Sequence, residues 1–363
     1  MINQIEPWID DVELEYLTDS IRTKYVTEHK FTERFEQTIK EYTQSTYAMA
    51  FTNGTAALYC AFKALGLQPG DEVIVPNITF VATANAAIMA GLTPVFSEVE
   101  KDYYCLDANN VEKLITPKTK AIVPVHLYGQ SANMEPLMNL AKKHGLYVVE
   151  DAAQGMGVLH NNKHVGTFGD IGILSFYGNK TITCGEGGVI LTNNEELRNK
   201  CYRLKNHGRD RKGVFIHEEI GFNFSFTEMQ AAVGLAQLTK LEKVIARKKE
   251  IHDRYIEELS DIDELMFCPI RPETSRPVFW FTSLLTENRE KLQEHLKANQ
   301  IGSRLFFYPL HVQPCYSYMN LNKEQYAYSA HIYDRALSLP SSYELKQDQQ
   351  TTVIECVKAF YKK

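Results

Sequence analysis

A carboxylate at a strand end and a lysine in weakly charged surroundings are the residues whose types and spacing best suit catalysis. Asp151 follows the uninterrupted apolar stretch 146–149. A carboxylate there could pair with a protonated ring nitrogen and hold it cationic, although a helix cap or a structural ion pair would use the same residue. Lys180 lies in the stretch 165–192, which contains only two other charged residues. A poorly solvated lysine loses its proton readily and becomes a nucleophile toward aldehydes.

A possible phosphate site precedes both residues in the sequence. Gly54 and Thr55 open a predicted helix, 56–65, directly after the apolar stretch 48–51. Free backbone N–H groups and the positive end of the helix dipole attract phosphate at such a turn. An ordinary helix start with a capping side chain would give the same pattern, and the dinucleotide fingerprint G-x-G-x-x-G is absent from this turn.

Together, these three features match the requirements of pyridoxal 5′-phosphate (PLP). Lys180 would form a Schiff base with the cofactor aldehyde, and Asp151 would keep the pyridine nitrogen protonated so that the ring can accept electrons from a carbanion. Backbone N–H groups and hydroxyls would hold the phosphate. The order along the chain, phosphate turn, aspartate and lysine, therefore predicts a PLP enzyme.

The elements that must position these residues alternate between short apolar strands and helices. Strands are predicted at 71–76, 121–126 and 146–149, and helices at 82–90 and 135–144. Continuous apolar strands separated by helices indicate a mostly parallel sheet covered on both faces. Ligands of such sheets bind at the carboxyl ends of the strands. The predicted fold class is therefore α/β.

The length of 363 residues predicts more than one domain, because single cores stop growing beyond roughly 250–300 residues. A long helix is predicted at 227–251, and we place the domain boundary at its end. The predicted division is a large domain, 1–250, and a small C-terminal domain, 251–363. Within the small domain we predict strands at 278–281 and 303–307 and a helix at 290–300.

The composition narrows the class of protein and its partners. The chain is 44% hydrophobic and 23% charged, as in soluble globular proteins, and its net charge is −6. Nucleic acid and anionic membranes are not expected partners, because both require clustered Lys and Arg. The seven cysteines lack C-x-x-C spacing, so no disulfide framework or metal site is predicted. The sequence shows no leader pattern and no apolar stretch of ~20 residues, so we expect a cytoplasmic protein.

Eight motifs occur in a fixed order along the chain. They are TNGTAAL at 52–58, GDEVIVP at 70–76, HLYGQ at 126–130, EDAAQ at 150–154, GTFGD at 166–170, SFYGNK at 175–180, KNHG at 205–208 and RLFFYPLH at 304–311. In these motifs, and over nearly its whole length, the sequence resembles the DegT/StrS-type nucleotide-sugar aminotransferases. It is most similar to the perosamine synthases among them. The resemblance implies a fold-type I PLP enzyme, in which a large mostly parallel-sheet domain binds the cofactor and a smaller α+β domain follows.

The resemblance also implies roles for individual residues around the cofactor. Lys180 would be the Schiff-base lysine and would then move the proton between cofactor and sugar carbon. Asp151 would pair with the pyridine nitrogen, Gln154 would lie close to the ring hydroxyl, and Phe80 would stack on the ring. The phosphate would be held by Gly54, Thr55, Ser175 and, from the other subunit of a homodimer, Asn223.

On the substrate side, the resemblance implies Arg304, Tyr308 and His311 in the smaller domain and His217 in a loop that approaches the sugar in relatives. A structural role stays open for each of them. One departure concerns Ser225-Phe226, which stand where the family usually has arginine and methionine. The missing arginine leaves a local anion contact in question.

The implied reaction moves an amino group from L-glutamate to a nucleotide-linked 4-keto-6-deoxyhexose, with pyridoxamine 5′-phosphate as the intermediate cofactor form. The product would be a 4-amino-4,6-dideoxy sugar for O-antigen, other glycan or antibiotic synthesis. A GDP-linked, perosamine-type substrate is favoured over a dTDP- or UDP-linked, viosamine-type one. Related dehydratases carry histidine where Lys180 stands, so dehydration is not expected. A PLP-fold protein that binds without turnover is the alternative from another class.

Overall fold

Helices and strands alternate through most of the chain, of which the computed structural model describes residues 1–362. The α-helices are α1 (Asp11–Arg22), α2 (Lys30–Thr43), α3 (Gly54–Ala64), α4 (Ala82–Met89), α5 (Ala108–Leu114), α6 (Met134–His144), α7 (Glu195–Lys205), α8 (Glu228–Leu259), α9 (Arg289–Ala298), α10 (Ala327–Arg335) and α11 (Gln347–Tyr361). The strands are β1 (Tyr47–Phe51), β2 (Glu72–Pro76), β3 (Thr93–Ser97), β4 (Thr119–Ile122), β5 (Tyr147–Asp151), β6 (Leu159–His160), β7 (Lys163–His164), β8 (Ile171–Ser175), β9 (Gly188–Thr192), β10 (Met266–Phe267), β11 (Thr282–Leu285), β12 (Arg304–Leu305) and β13 (Ala336–Leu339). Short 3-10 helices lie at Leu310–Val312, Pro314–Met319 and Lys323–Tyr326.

The larger sheet has seven strands in the order β1-β9-β8-β5-β4-β2-β3. Strand β9 runs antiparallel to both of its neighbours, and the other pairs are parallel. Its central strands are apolar and buried on both faces, as the uninterrupted apolar runs of the sequence predicted. The mostly parallel sheet confirms the predicted α/β class.

Alternate side chains of this sheet enter two apolar layers, so that helices cover both faces. Val73, Val75 and Ile171 face α3, α4 and α7, whereas Ile74 and Leu174 face the opposite layer, to which α2, α5, α6 and α8 contribute. The carboxyl ends of the parallel strands therefore open on one edge between two helical layers. None of the helices in the described part of the chain combines the length and apolar character that crossing a membrane requires.

The smaller sheet is antiparallel, in the order β10-β11-β13-β12, and packs against α9, α11 and the end of α8. The predicted boundary after residue 250 falls inside α8, which continues from one sheet to the other. The first residues of the chain also lie with the smaller sheet, since Ile2 forms a bridge with Ile301 and Gln4 accepts the Ser341 N–H at 2.9 Å. The division into two domains stays a prediction.

The predicted strand at 278–281 is wrong, because β11 begins only at Thr282. The preceding segment crosses the large domain, where the Val278 N–H donates to Gly129 O at 2.9 Å. Gly129 has a φ of +90°, and a Cβ there would lie 1.7 Å from Val278 O, so only glycine permits this approach. Burial in the core, rather than sheet pairing, accounts for the apolar run.

Candidate active site

A cavity of about 780 Å³ lies at the carboxyl ends of the parallel strands, where the smaller sheet adjoins the larger one. Its size is within the range of small-molecule and cofactor sites. Most of the residues predicted from the sequence line it together: Gly54, Thr55, Phe80, Asp151, Gln154, Ser175, Lys180 and Arg304. They come from four of the eight motifs and, in the case of Phe80, from outside them, and both sheets contribute residues, so the fold itself assembles the site.

The turn at the start of α3 is built to receive an anion. Asn53 caps the helix by accepting the Ala56 N–H at 2.9 Å. The N–H groups of Gly54 and Thr55, at the first two helical positions, have no acceptor within the helix. The end of β8 lies against this turn, since a Cβ on Gly54 would be 3.2 Å from Ser175 Cβ. Two N–H groups, a hydroxyl and the helix dipole therefore converge on one spot.

The carboxylate of Asp151 is buried and held in one orientation. Thr83 on α4 donates its hydroxyl to Oδ2 at 2.6 Å, and the Ala153 N–H donates to Oδ1 at 3.1 Å. A carboxylate fixed in this way can keep a bound ring nitrogen protonated. Thr83 was not predicted from the sequence, because nothing in its neighbours distinguishes it from other threonines.

The side chains that would surround a flat ring are Gln154 and Phe80. Gln154 Oε1 accepts the N–H of Tyr128, a residue with φ +52°, at 2.7 Å. This bond fixes the Gln154 amide and leaves its NH2 group for a ligand. Phe80 is 56% exposed although it is a large apolar residue, and its ring lies on the cavity wall 5.9 Å from that of Phe307. An exposed aromatic in a cavity suits stacking on a ligand ring.

Lys180 is partly exposed to the cavity, and its ammonium is poorly solvated. Burial lowers the pKa of its amine to about 8; the charge of Asp151 opposes this shift and that of Arg304 adds to it. The neutral, nucleophilic form is therefore available near neutral pH. Nζ lies 4.5 Å from the centroid of the Trp280 indole. Trp280 was predicted only as part of a strand, and its place beside Lys180 was missed.

A buried hydrogen bond between a histidine and a carboxylate supports the strand end behind Asp151. Glu150 Oε2 lies 2.9 Å from His126 Nε2, and Oε1 accepts two N–H groups of the turn 168–169. His126 Nδ1 accepts the Ala132 N–H at 3.1 Å, so the ring proton is assigned to Nε2. Burial alone would raise the pKa of Glu150, but the hydrogen bonds from His126 and the backbone N–H groups hold it below its ordinary value.

Two residues predicted for the site lie in a surface segment away from the cavity of their own chain. Asn223 is exposed and forms a bridge with Asn206. His217 is also exposed, and its Nδ1 lies 2.6 Å from His207 O. Neither lines the cavity within residues 1–362. Their roles stay predictions, and the predicted role of Asn223 requires a second subunit.

Two residues predicted in the smaller domain also lie outside the cavity lining. Tyr308 is exposed, with its ring edge-on to Tyr333 at 5.0 Å. His311 is buried, stacks on Tyr326 at 4.6 Å, and its Nδ1 lies 2.7 Å from Asn77 Nδ2. Burial lowers the pKa of His311. A substrate role for either residue stays a prediction, and the contacts of His311 are those of a structural side chain.

The departure at Ser225-Phe226 is accommodated by the core. Phe226 is buried and packs on Phe35, with ring centroids 5.4 Å apart. The neighbouring Phe224 lines the cavity. The aromatic residue therefore fills an apolar layer, and Ser225 places no cation beside the cavity residue Phe224.

The donor set of the cavity fits PLP: a phosphate site at a helix start, a fixed carboxylate, an amide, an exposed aromatic ring and a lysine with a lowered pKa. The profile of the DegT/DnrJ/EryC1/StrS aminotransferase family matches residues 7–358. The GDP-perosamine synthase of Vibrio cholerae is 37% identical over 369 aligned residues, which cover 99% of each chain. The dTDP-3-amino-3,4,6-trideoxy-alpha-D-glucose transaminase of Streptomyces venezuelae is 35% identical over 328 residues, 90% of this chain and 86% of that one.

The fold also matches that of a solved structure. The X-ray structure of DesV from S. venezuelae superposes with a TM-score of 0.93 and 32% identity, over 97% of this chain and 94% of that chain. These similarities confirm the predicted family, the fold-type I architecture and PLP as the cofactor. They also favour an enzyme over a binder without turnover. From its motifs, its cavity and these matches, the chain belongs to the DegT/DnrJ/EryC1/StrS family of PLP-dependent sugar aminotransferases.

Proposed function

We propose that this enzyme transfers an amino group from L-glutamate to C4 of a GDP-linked 4-keto-6-deoxyhexose and forms the 4-amino-4,6-dideoxy sugar. The observation that carries the reaction type is the assembly of Gly54, Thr55, Asp151, Ser175 and Lys180 around one cavity. Similarity to a GDP-perosamine synthase over the full length of both chains supports the substrate class.

The cofactor would be held by residues whose donors are already oriented. Gly54, Thr55 and Ser175 bind the phosphate through N–H groups, the hydroxyl and the helix dipole. Asp151 keeps a proton on the pyridine nitrogen, and the Thr83 hydroxyl fixes that carboxylate at 2.6 Å. When bound, PLP supplies an electron sink for the carbon that loses or gains a proton.

Lys180 carries the proton in both halves of the reaction. Its amine would take the proton from Cα of glutamate, whose amino group would pass to the cofactor while water supplies the keto oxygen of the departing 2-oxoglutarate. It would later give a proton to C4 of the sugar as that carbon receives the amino group. A base with a pKa of about 8 suits both directions, because proton transfer is most effective when the pKa lies near the operating pH. A Lys180→Ala protein should lose turnover; retention of turnover would contradict this role.

The nucleotide sugar would enter past the smaller domain. Arg304 is exposed at the cavity and lies over the Phe281 ring at 5.4 Å, so its guanidinium is available to the diphosphate. Tyr308 and His311 belong to the same segment, and we retain them as substrate-side residues. His217 would approach the sugar from a second subunit.

The active site would span the interface of a homodimer, with Asn223 of one subunit reaching the phosphate in the other. The loop before Asn223 supports this arrangement, because Phe215, Ile216 and Ile220 are 80%, 67% and 87% exposed. Apolar residues exposed together indicate an interaction surface. Mixing inactive Lys180→Ala and Asn223→Asp proteins should restore activity, since one site of each mixed dimer keeps both residues. No recovery, with exchange of subunits demonstrated, would contradict a shared site.

A dTDP- or UDP-linked substrate of the viosamine type is the alternative. The similarity to a dTDP-sugar transaminase, which acts on a 3-amino sugar, supports the dTDP nucleotide, and the uncharged Ser225 weakens the preference for a GDP-linked substrate. The enzyme should be incubated with glutamate and GDP-, dTDP- and UDP-linked 4-keto-6-deoxyhexoses, and the position of the new amine assigned by NMR. Product from the GDP sugar alone supports the proposal, and product from only the others supports the alternative. Amination at C3, or no product, would overturn the substrate class.

A further inference from the structure

We propose that Trp280 is a positioning residue for Lys180. Its indole face holds the lysine amine at the cavity wall whenever the amine is not bonded to the cofactor, and Asn179 and Lys248 hold the indole. This inference rests on the proposed function in one respect, namely that Lys180 is the group that moves the proton.

The first observation is the contact between the two side chains. Lys180 Nζ lies 4.5 Å from the centroid of the Trp280 ring, inside the distance of roughly 6 Å at which an ammonium is attracted to an aromatic face. Trp280 is buried and lines the cavity. A lysine side chain has many rotamers, so a fixed aromatic face restricts where its amine is found.

The indole is anchored to the backbone beside the lysine that it contacts. Its Nε1–H donates to Asn179 O at 2.6 Å, and Asn179 directly precedes Lys180. Phe281 stacks on the indole at 4.0 Å, and the ring of Tyr128 lies at 5.8 Å. The same ring therefore fixes both the chain before Lys180 and the amine at the end of its side chain.

Lys248 on α8 fixes the backbone of Trp280. Its Nζ donates to Trp280 O at 3.1 Å and to Ser341 O at 2.9 Å. It is buried, and no salt bridge to a carboxylate forms in the part of the chain that the structure describes. Burial lowers its pKa to about 7. Burying an amine without a carboxylate partner costs folding free energy. Here the Lys248 amine donates to the Trp280 carbonyl, which would have accepted a hydrogen bond from a neighbouring strand if residues 278–281 formed a strand.

Because Trp280 positions the Lys180 amine, we expect it to affect proton transfer rather than substrate binding. The titratable and charged groups that line the cavity with Lys180 are Asp151, Tyr177, Glu186 and Arg304. Among them Trp280 adds an uncharged surface that favours the ammonium form and fixes its position. Removing that surface should therefore lower kcat and leave KM nearly unchanged, because misplacement of a catalytic group by about an ångström costs up to ~100-fold in rate.

The test weakens the aromatic face without changing its shape. The chain has two tryptophans, so a Trp8→Phe background leaves Trp280 alone for replacement by mono-, di- and trifluorotryptophan. The pKa of Lys180 is then measured in the apoprotein from the pH dependence of its acetylation, by mass spectrometry. The account predicts a stepwise fall of about half a unit to one unit in all, because each fluorine weakens the attraction for the cation. A pKa independent of fluorine content would overturn the proposal.

A second variant tests Lys248, which holds the backbone of Trp280 and does not contact Lys180. Lys248→Met should change the acetylation profile of Lys180 and lower kcat about tenfold at unchanged KM. Lys249→Met is the matched control on the same helix; its ammonium is exposed and pairs with Asp253 at 2.5 Å, so the Lys180 profile should not change. Thermal melting establishes that each variant is folded. An unchanged Lys180 profile in Lys248→Met would overturn the role of Lys248.

These readouts are independent of the proposed function, because the apoprotein titration needs neither substrate nor turnover. If the titration behaves as expected but PLP bonds to another lysine, the proposed function fails and the contact stands. If PLP bonds to Lys180 and the titration is unaffected by fluorine, the proposed function stands and the role of Trp280 fails.

Discussion

The substitution Gly188→Ala, which adds one methyl group behind the phosphate turn, should weaken PLP binding without replacing any residue that contacts the cofactor. Gly188 begins β9 and pairs with both Phe51 and Ser175. A Cβ on Gly188 would lie 2.5 Å from Asn53 O and 2.8 Å from Gly54 N. Reaching an ordinary contact of 3.4 Å requires a separation of about 0.9 Å (3.4 minus 2.5). Because Ser175 is paired to Gly188, the start of α3 must move relative to the Ser175 hydroxyl.

The size of the effect follows from the hydrogen bonds to the phosphate. A hydrogen bond to a charged group contributes roughly 1.5–3 kcal/mol. Moving two N–H donors by most of an ångström should cost the equivalent of one such bond, about 2 kcal/mol, or ~30-fold in Kd. The assay is titration of Gly188→Ala apoprotein with PLP, followed by the visible absorption of the bound cofactor.

The matched control is Gly178→Ala, in which the same methyl group meets only Gly185 O at 4.0 Å. It should bind PLP as the wild type does. A milder variant, Gly54→Ala, places Cβ 3.2 Å from Ser175 Cβ and should give a smaller loss. Thermal melting of the apoproteins separates a folding defect from a binding defect. A folded Gly188→Ala protein with the wild-type Kd would refute the steric reasoning.

Three further predictions concern the charged groups of the site. Thr83→Val removes the 2.6 Å hydrogen bond to Asp151 and should lower kcat about tenfold or more, with KM nearly unchanged; steady-state kinetics would contradict it if KM alone rose. Arg304→Gln should move the pKa of Lys180 upward, because the Arg304 charge lowers it; a downward shift in the acetylation profile of the apoprotein would be inconsistent with this. Glu150→Gln should cost roughly 1.5–3 kcal/mol of unfolding free energy at neutral pH, because the amide NH2 cannot accept the His126 and Gly166 N–H groups that Oε2 accepts. The folded-state pKa of Glu150 is lowered, so the stabilisation that the carboxylate provides is present above the unfolded-state pKa near 4.3 and is lost as the pH falls through the folded-state value. Equal acid sensitivity of wild type and Glu150→Gln in denaturant melts would argue against this role.

Much of the site could be predicted from the sequence because its chemistry is concentrated in short local patterns. A helix start after a strand, a strand-end carboxylate and a charge-poor lysine are each visible within a few residues. The α/β topology then brings Gly54, Asp151 and Ser175 to one edge, since carboxyl ends of parallel strands meet there. At these positions the local sequence pattern and the sheet topology predict the same site.

The residues that were missed act through contacts between distant segments. Thr83 bonds to Asp151 across 68 positions and Trp280 to Asn179 across 101, and no local pattern marks either contact. The segment 278–281 has the apolar composition of a strand, but Lys248 takes the Trp280 carbonyl and Gly129 takes the Val278 N–H. The apolar composition of this segment correctly indicated that it is buried, but these tertiary contacts determine the path of its backbone.

Asn223 and His217 are predicted site residues that one subunit alone does not bring to the cavity. Both are exposed and outside the cavity of their own subunit, so a role for either depends on an interface between copies. The exposed apolar side chains of Phe215 and Ile220 in the same loop favour such an interface. Recovery of activity in mixed dimers is therefore the test that matters for these two residues.

The most direct test of the central claim is to locate the lysine that bonds to PLP. Borohydride reduction of the PLP-loaded protein makes the bond permanent, and peptide mass spectrometry then identifies the modified residue. The account predicts the phosphopyridoxyl group on Lys180, which lines the cavity. Lys248 is the informative competitor, because its pKa of about 7 is lower still but it is buried behind Trp280. Modification of Lys248, or of no lysine at all, would contradict the account.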